Sequence, residues 1–193
     1  MNVVISMLRG VNVGGHHKIR MDALKVLYES LGLRNVQTYV QSGNVIFSTK
    51  ERDIERLAIE IENSIERSLG FRPPVIVRTV AELREVIRKN PFAARQGIEP
   101  AKLHFMFLAR DPGQEARDKM LTIKVEPEEL HMEAREYYIY FPAGMGQSKL
   151  PTAAIAKTLK VPETGRNWNS VTKMLEIAGR IEASLSSPAE PRP

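Results

Sequence analysis

Apolar positions along the 193-residue chain switch between two periods, and the switches predict its elements. Val3-Val4-Ile5-Ser6-Met7-Leu8 is an apolar run of strand length, suited to burial. After a loop from Arg9 to Arg20, Met21, Leu24, Leu27, Tyr28 and Leu31 recur at helical spacing, with Gly32 placed to end the helix. Two β-rich runs come next, Val36 to Val40 and Val45 to Thr49, separated by the turn Gln41-Ser42-Gly43-Asn44. Ile54, Leu57, Ala58, Ile61, Ile65 and Leu69 mark a long amphipathic helix closed by Gly70, and Pro73-Pro74 leads into the strand Val75 to Arg78. The order is β-α-β-β-α-β.

Thr79 and Glu82 form a capping box for a helix over Val80, Leu83, Val86 and Ile87 that ends at Asn90-Pro91. Residues 92–100 read as a connection. The same order then returns. His104 to Leu108 is a strand, and Asp111-Pro112 supplies an N-cap and first-turn proline for a helix to about Leu121. A hairpin spans Glu129 to Glu133 and Tyr137 to Phe141. Gly144 to Gln147 reads as a flexible loop, and Ser148 as the cap of a helix through about Leu159. Thr164 to Arg166 reads as a short strand, and Trp168, Val171, Leu175 and Ala178 as one face of a closing helix. The fold expected is α+β, two ferredoxin-like halves with an extra C-terminal helix. Its divisions are 1–79, a connecting segment 80–102, 103–182, and a disordered tail 183–193 rich in proline and polar residues. The hairpin turn at 41–44 is expected at the opposite end of its sheet from the loop at 9–20, which would make them separate sites.

Charge narrows the search. The formal net charge is +5, and it is unevenly placed. Residues 1–50 carry six bases against two acids, and so do residues 143–180, whereas 51–142 is slightly acidic. Such fields attract phosphate or carboxylate partners. Cysteine is absent, which excludes disulfides, thiolate metal sites and thiol nucleophiles. No run approaches the roughly 20 apolar residues of a membrane helix, and Met1 to Leu8 lacks the marks of a signal peptide. A cytoplasmic protein with no membrane partner is the expectation.

The basic segments hold the unusual loops. Arg9-Gly10-Val11-Asn12-Val13-Gly14-Gly15-His16-His17-Lys18 joins a buried strand to a helix, where backbone N–H groups can converge on an anion. Its spacing fits neither the Walker A nor the dinucleotide pattern, and its glycines also suit a tight connection. Gly144-Met145-Gly146-Gln147-Ser148-Lys149 is again glycine-rich and basic. Thr164-Gly165-Arg166-Asn167-Trp168-Asn169-Ser170 offers an arginine fork, two amides that can instead cap a helix, and a tryptophan in register with the apolar face of the closing helix. The candidate ligand-binding set is Arg9, Asn12, Gly14, Gly15, Lys18, Ser42, Asn44, Ser148, Lys149, Arg166 and Asn167. No metal-ligand spacing and no cofactor motif occur, and no paired acids stand in the basic loops.

Leu8 to Gly15, Gln41-Ser42-Gly43-Asn44-Val45 and Gly165 to Lys173 together resemble the domain of unknown function 1697 family, a mostly bacterial group of small proteins. The resemblance spans roughly residues 2–178. It implies a fold of ferredoxin-like α+β halves and no particular activity. The reading of function is a module that binds a phosphate-bearing or other anionic ligand, either a small molecule or nucleic acid. Phe105 and Phe107 are strand aromatics but lack the RNA-recognition-motif signature, so a nucleic-acid role rests on charge alone. Two alternatives stand beside it: an enzyme on a small anionic metabolite with His16 or His17 as acid–base, and a protein-interaction module. Oligomeric state is open.

Overall fold

The computed structural model describes residues 1–15 and 17–186. It is an α+β protein with two four-stranded antiparallel sheets and, among the described residues, six α-helices. The chain divides into two units, the first formed by residues 1–84 and 173 onward and the second by 85–172. His16 and the tail from residue 187 lie outside the described residues.

In the first unit the elements are β1 (Asn2–Leu8), α1 (Met21–Ser30), β2 (Arg34–Tyr39), β3 (Asn44–Thr49), α2 (Ile54–Leu69) and β4 (Val75–Thr79). The strands lie in the order β2-β3-β1-β4. The central strand β1 is buried from Val3 to Leu8 on both faces, as its unbroken apolar run requires. Val4, Leu8, Val45, Phe47, Val75 and Val77 pack against Leu24, Leu27 and Tyr28 of α1 and Leu57, Ala58, Ile61 and Ile65 of α2. Ser6 is the buried polar residue that β1 places on that face. Ser6 Oγ donates to Val45 O (3.3 Å) and shares a 2.9 Å hydrogen bond with Tyr28 OH, and burial pushes the Tyr28 phenol well above its ordinary range. Local signals hold the helix ends. Asp53 accepts from Arg56 N–H at the start of α2, and Gly70 closes it in the left-handed region.

α3 (Val80–Arg88) opens on the expected capping box. Thr79 N–H donates to a Glu82 carboxylate oxygen (2.8 Å) and Glu82 N–H to Thr79 Oγ1 (3.2 Å). In the second unit β5 (Leu103–Leu108), α4 (Gln114–Leu121), β6 (Glu129–Glu133), β7 (Glu136–Tyr140), α5 (Thr152–Leu159) and β8 (Glu163–Asn167) repeat the order, with strands β6-β7-β5-β8. Leu108, Met120, Tyr137, Ile155 and Leu159 form the core between this sheet and its helices. On the other face Phe105 packs edge-on against Tyr138 (5.2 Å) and lies 5.6 Å from Trp168, which fits the core register expected for the tryptophan.

Several sequence expectations shift here. α4 begins two residues later than Asp111-Pro112 implies, because Asp111 instead accepts from Gly113 N–H (2.8 Å) and pairs with Arg117. Ser148 does not cap α5. Its Oγ accepts from Leu150 N–H (3.0 Å), closing a local turn ahead of a helix that starts at Thr152. Residues 145–147, read as a flexible loop, form a short 3-10 turn. α6 (Trp168–Ser186) continues through residues 183–186, which the sequence assigned to a disordered tail.

Two glycines at positive φ differ in what surrounds them. A Cβ on Gly43 (φ +70) would stand 2.6 Å from Val11 Cγ2 and 2.8 Å from Leu8 Cβ, whereas one on Gly70 (φ +76) would meet nothing within 4 Å. Gly70→Ala should therefore cost only the backbone strain, about 1 kcal/mol, and Gly43→Ala strain plus overpacking, about 2–4 kcal/mol. Urea unfolding of the two variants checks the difference, and equal losses would contradict the packing. His104, on β5 against Phe141 (5.1 Å), has its imidazole held below the ordinary value by burial. The unfolded chain then takes up this proton first as pH falls, so its contribution is present above about pH 6.5 and is lost below. His104→Leu should flatten the drop in unfolding midpoint between pH 7.5 and 5.5. An unchanged pH profile would refute that role.

Candidate functional site

Antiparallel pairing of β1 with β3 sets Met7 opposite Asn44, so the chain leaves β1 beside the β2–β3 turn. Leu8 N–H donates to Gly43 O (3.0 Å) and Arg9 N–H to Pro74 O (2.9 Å). Loops 9–20, 40–43 and 70–74 thus meet at one end of the first sheet. This corrects the expectation that the first loop and the hairpin turn lie at opposite ends. β2 runs in the same direction as β1, since both are antiparallel to β3, and its turn is therefore at the same end.

Asn12 ties these loops together. Its Nδ2 donates to Ile19 O (3.0 Å) and Gln41 O (2.7 Å), and its Oδ1 accepts from Ile19 N–H (2.9 Å). Both amide hydrogens are spent on backbone carbonyls. Asn44, fully buried, donates to Tyr39 O (3.2 Å) and Ser42 Oγ (2.9 Å). Asn12, Ser42 and Asn44 therefore hold the loops in place. What faces outward is different. Arg9 and Lys18 are exposed and have no carboxylate partner among the described residues. Arg20 is exposed and paired with Asp22 (2.6 Å). A hollow of about 440 Å³ is lined by Asn12, Gly15, Lys18, Ile19, Arg20 and Gln41. Gly14 sits beside Gly15 in the exposed turn of this loop. His17 stacks on Phe71 at 4.5 Å with an interplanar angle of 14°. Asn12, His17 and Val40 all adopt positive φ here, a costly conformation for a β-branched valine.

The remaining candidates belong to the second unit. Arg166 is on β8, 8% exposed, and its Nη1 donates to Thr164 Oγ1 (2.7 Å) and Gly165 O (2.8 Å). Burial draws its pKa down to about 10, which leaves it charged at neutral pH. It pairs with Phe105 across the sheet as the buried Arg78 pairs with Ile5 in the first unit, so each sheet carries an internal arginine at the same register. Asn167 caps α6, accepting from Ser170 N–H (3.0 Å). Ser148 and Lys149 stand in the connection before α5, Lys149 exposed. Phe105 and Phe107, the strand aromatics that the sequence offers without an RNA-recognition signature, are fully buried and offer no face to a nucleic acid.

A larger concavity, which sequence reasoning missed, lies at the end of the second sheet. The hydrogen bonds of the first unit are repeated: Leu108 N–H donates to Arg135 O and Ala109 N–H to Pro162 O, both at 2.9 Å. There a cavity of about 630 Å³ opens between the start of α4 and the end of α5, and its lining includes Arg110, Lys119, Lys157 and Lys160. The signal that could have found it was the repeated element order, which places 109–113 where 9–13 stand. Among the described residues no cluster of three or more His, Asp or Glu could hold a metal ion, and no helix is long and apolar enough to cross a membrane.

Because Asn12 also sits at positive φ, Asn12→Ala should lose about 2–3 kcal/mol in urea unfolding, with Asn12→Asp at least as damaging because a carboxylate would face two carbonyls. A loss below about 0.5 kcal/mol would show the amide is dispensable to the fold.

No curated protein matches the chain. In fold it is similar to a conserved bacterial protein, SP0830 from Streptococcus pneumoniae, with a TM-score of 0.70 over 93% of this chain and 99% of that one at 22% identity. Residues 1–138 match the family described as protein of unknown function (DUF1697). With well over half of its sequence matched, and with the Leu8–Gly15 and Gln41–Val45 motifs locked together at one sheet end, the chain belongs to that family.

Proposed function

We propose that the protein binds a small phosphate-bearing or other anionic ligand at the loop end of its first sheet. The hollow lined by Lys18 and Arg20 carries this reading, with Arg9 leaving the sheet at the same end. Lys18 supplies a point charge with no competing carboxylate among the described residues. The Arg20–Asp22 pair is exposed and so worth little, which leaves the guanidinium open to exchange. The strained backbone of Val40 and the clamp of Asn12 are consistent with a preformed receptor, since such conformations cluster where a ligand must be met. Two features favour a small anion over nucleic acid: the burial of Phe105 and Phe107, and the modest number of unpaired bases at the hollow. His17, stacked on Phe71, has no carboxylate partner among the described residues to orient it as an acid or base. We also infer that each half is a ferredoxin-like unit, an assignment supported by the strand orders β2-β3-β1-β4 and β6-β7-β5-β8.

The test is a titration with inorganic phosphate monitored by backbone amide NMR. Saturable movement of the Gly14, Gly15 and Lys18 amides is expected, weakened at least tenfold in the Lys18→Ala/Arg20→Ala variant. Amides that stay still, or move equally in the variant, would overturn the reading. A response confined to single-stranded RNA, with a steep salt dependence, would replace it with a polyanion surface.

A further inference from the structure

The cavity in the second unit carries a separate assignment, independent of the first hollow. We propose that it is a binding site for a small, hydroxyl-rich phosphorylated molecule of the sugar phosphate class. Six charged side chains line it: Arg110, Lys119, Lys157, Lys160, Asp111 and Glu115. The two acids are engaged locally. Asp111 accepts from Gly113 N–H and pairs with Arg117, and Glu115 pairs with Lys119 at 2.6 Å. Arg110, Lys157 and Lys160 have no ion-pair or hydrogen-bond partner for their charged groups among the described residues, and Lys160 reaches Glu115 only through its field. Three cations without an ion-pair partner among the described residues line one concavity whose charged residues sum to an excess of bases, and such a lining attracts a phosphate dianion.

The rest of the lining selects the body of the ligand. The volume of about 630 Å³ lies within the range of small-molecule sites. No aromatic side chain lines it, so a nucleobase has no ring to stack on. Thr158 adds a hydroxyl to the lining, while the Gln114 amide is held by Asp118 (2.7 Å) and Arg117 (2.8 Å). Asp111 and Glu115 are both held below the usual carboxylate range, by the Gly113 N–H and by Lys119 respectively, and as ionised acceptors they suit sugar hydroxyl donors. Leu159, buried, forms an apolar floor.

The experiment is a calorimetric and amide-NMR titration of the full chain with glucose 6-phosphate, glucose and adenosine monophosphate. Glucose 6-phosphate is expected to bind saturably, shifting the amides of Gly113 to Ala116 and Lys160, and at least tenfold more tightly than either of the others. Lys157→Ala/Lys160→Ala and Arg110→Ala should each weaken it tenfold or more. These side chains are exposed, so unchanged thermal melting will confirm that the variants fold. The Lys18→Ala/Arg20→Ala variant should bind as the parent does, which separates this site from the first. The proposal is overturned if glucose 6-phosphate fails to saturate, if the second-unit variants bind it unchanged, or if adenosine monophosphate binds as tightly.

Discussion

The place where each central strand releases the chain governs everything else about the two candidate sites. Leu8 and Arg9 donate to Gly43 and Pro74, and Leu108 and Ala109 donate to Arg135 and Pro162. Two of these bonds pair the N–H groups of the buried Leu8 and Leu108, which unpaired would cost about 1–3 kcal/mol each. Together the four bonds draw three connections to one edge of each sheet. A shared edge is a precondition for a concave surface made of loops, and both halves have one. In the first half a clamp of amide bonds from Asn12 then stiffens it. In the second half the helix ends of α4 and α5 leave the wider opening.

Regular structure was legible because burial leaves a period in the sequence. The run from Val3 to Leu8, the helical spacing from Ile54 to Leu69 and the reciprocal pair Thr79 and Glu82 each correspond to an observed element. The hairpin turn was assigned to the wrong sheet end although the expected β-α-β-β-α-β order already implies otherwise: α1 carries the chain back, so β2 runs parallel to β1 and ends at the same end of the sheet. Asp111 and Ser148 were read one step too strongly. Short polar side chains close turns just outside helices with the same atoms they use to cap them. The burial of Phe105 and Phe107 was equally invisible, since an apolar strand does not reveal how many of its faces are covered.

For the candidate sites, glycine, asparagine and charge pointed to loops that meet at one end of the first sheet but not to the division of labour within them. Asn12 and Asn44 look like ligand groups in sequence and are spent on the fold, while Lys18, less conspicuous, lines the hollow. Arg166 shows the same inversion, since its guanidinium lies inside the protein at a register shared with Arg78. The larger cavity escaped notice for a simpler reason. Arg110 sits in the charge-balanced middle of the chain, some fifty residues before Lys157 and Lys160, and only folding brings them around one opening.

The division of the chain into units has a consequence for its synthesis. The second unit is continuous, from residue 85 to 172, whereas the first needs residues 1–84 together with the part of α6 that begins at Lys173. Met174, Ala178 and Ile181 of that helix are buried, and Glu182 pairs with Arg84 at 2.5 Å. A ribosome delivers the chain from its N-terminus. The half that emerges first must therefore wait, with its last helix still missing, until the half that emerges second has every residue it needs.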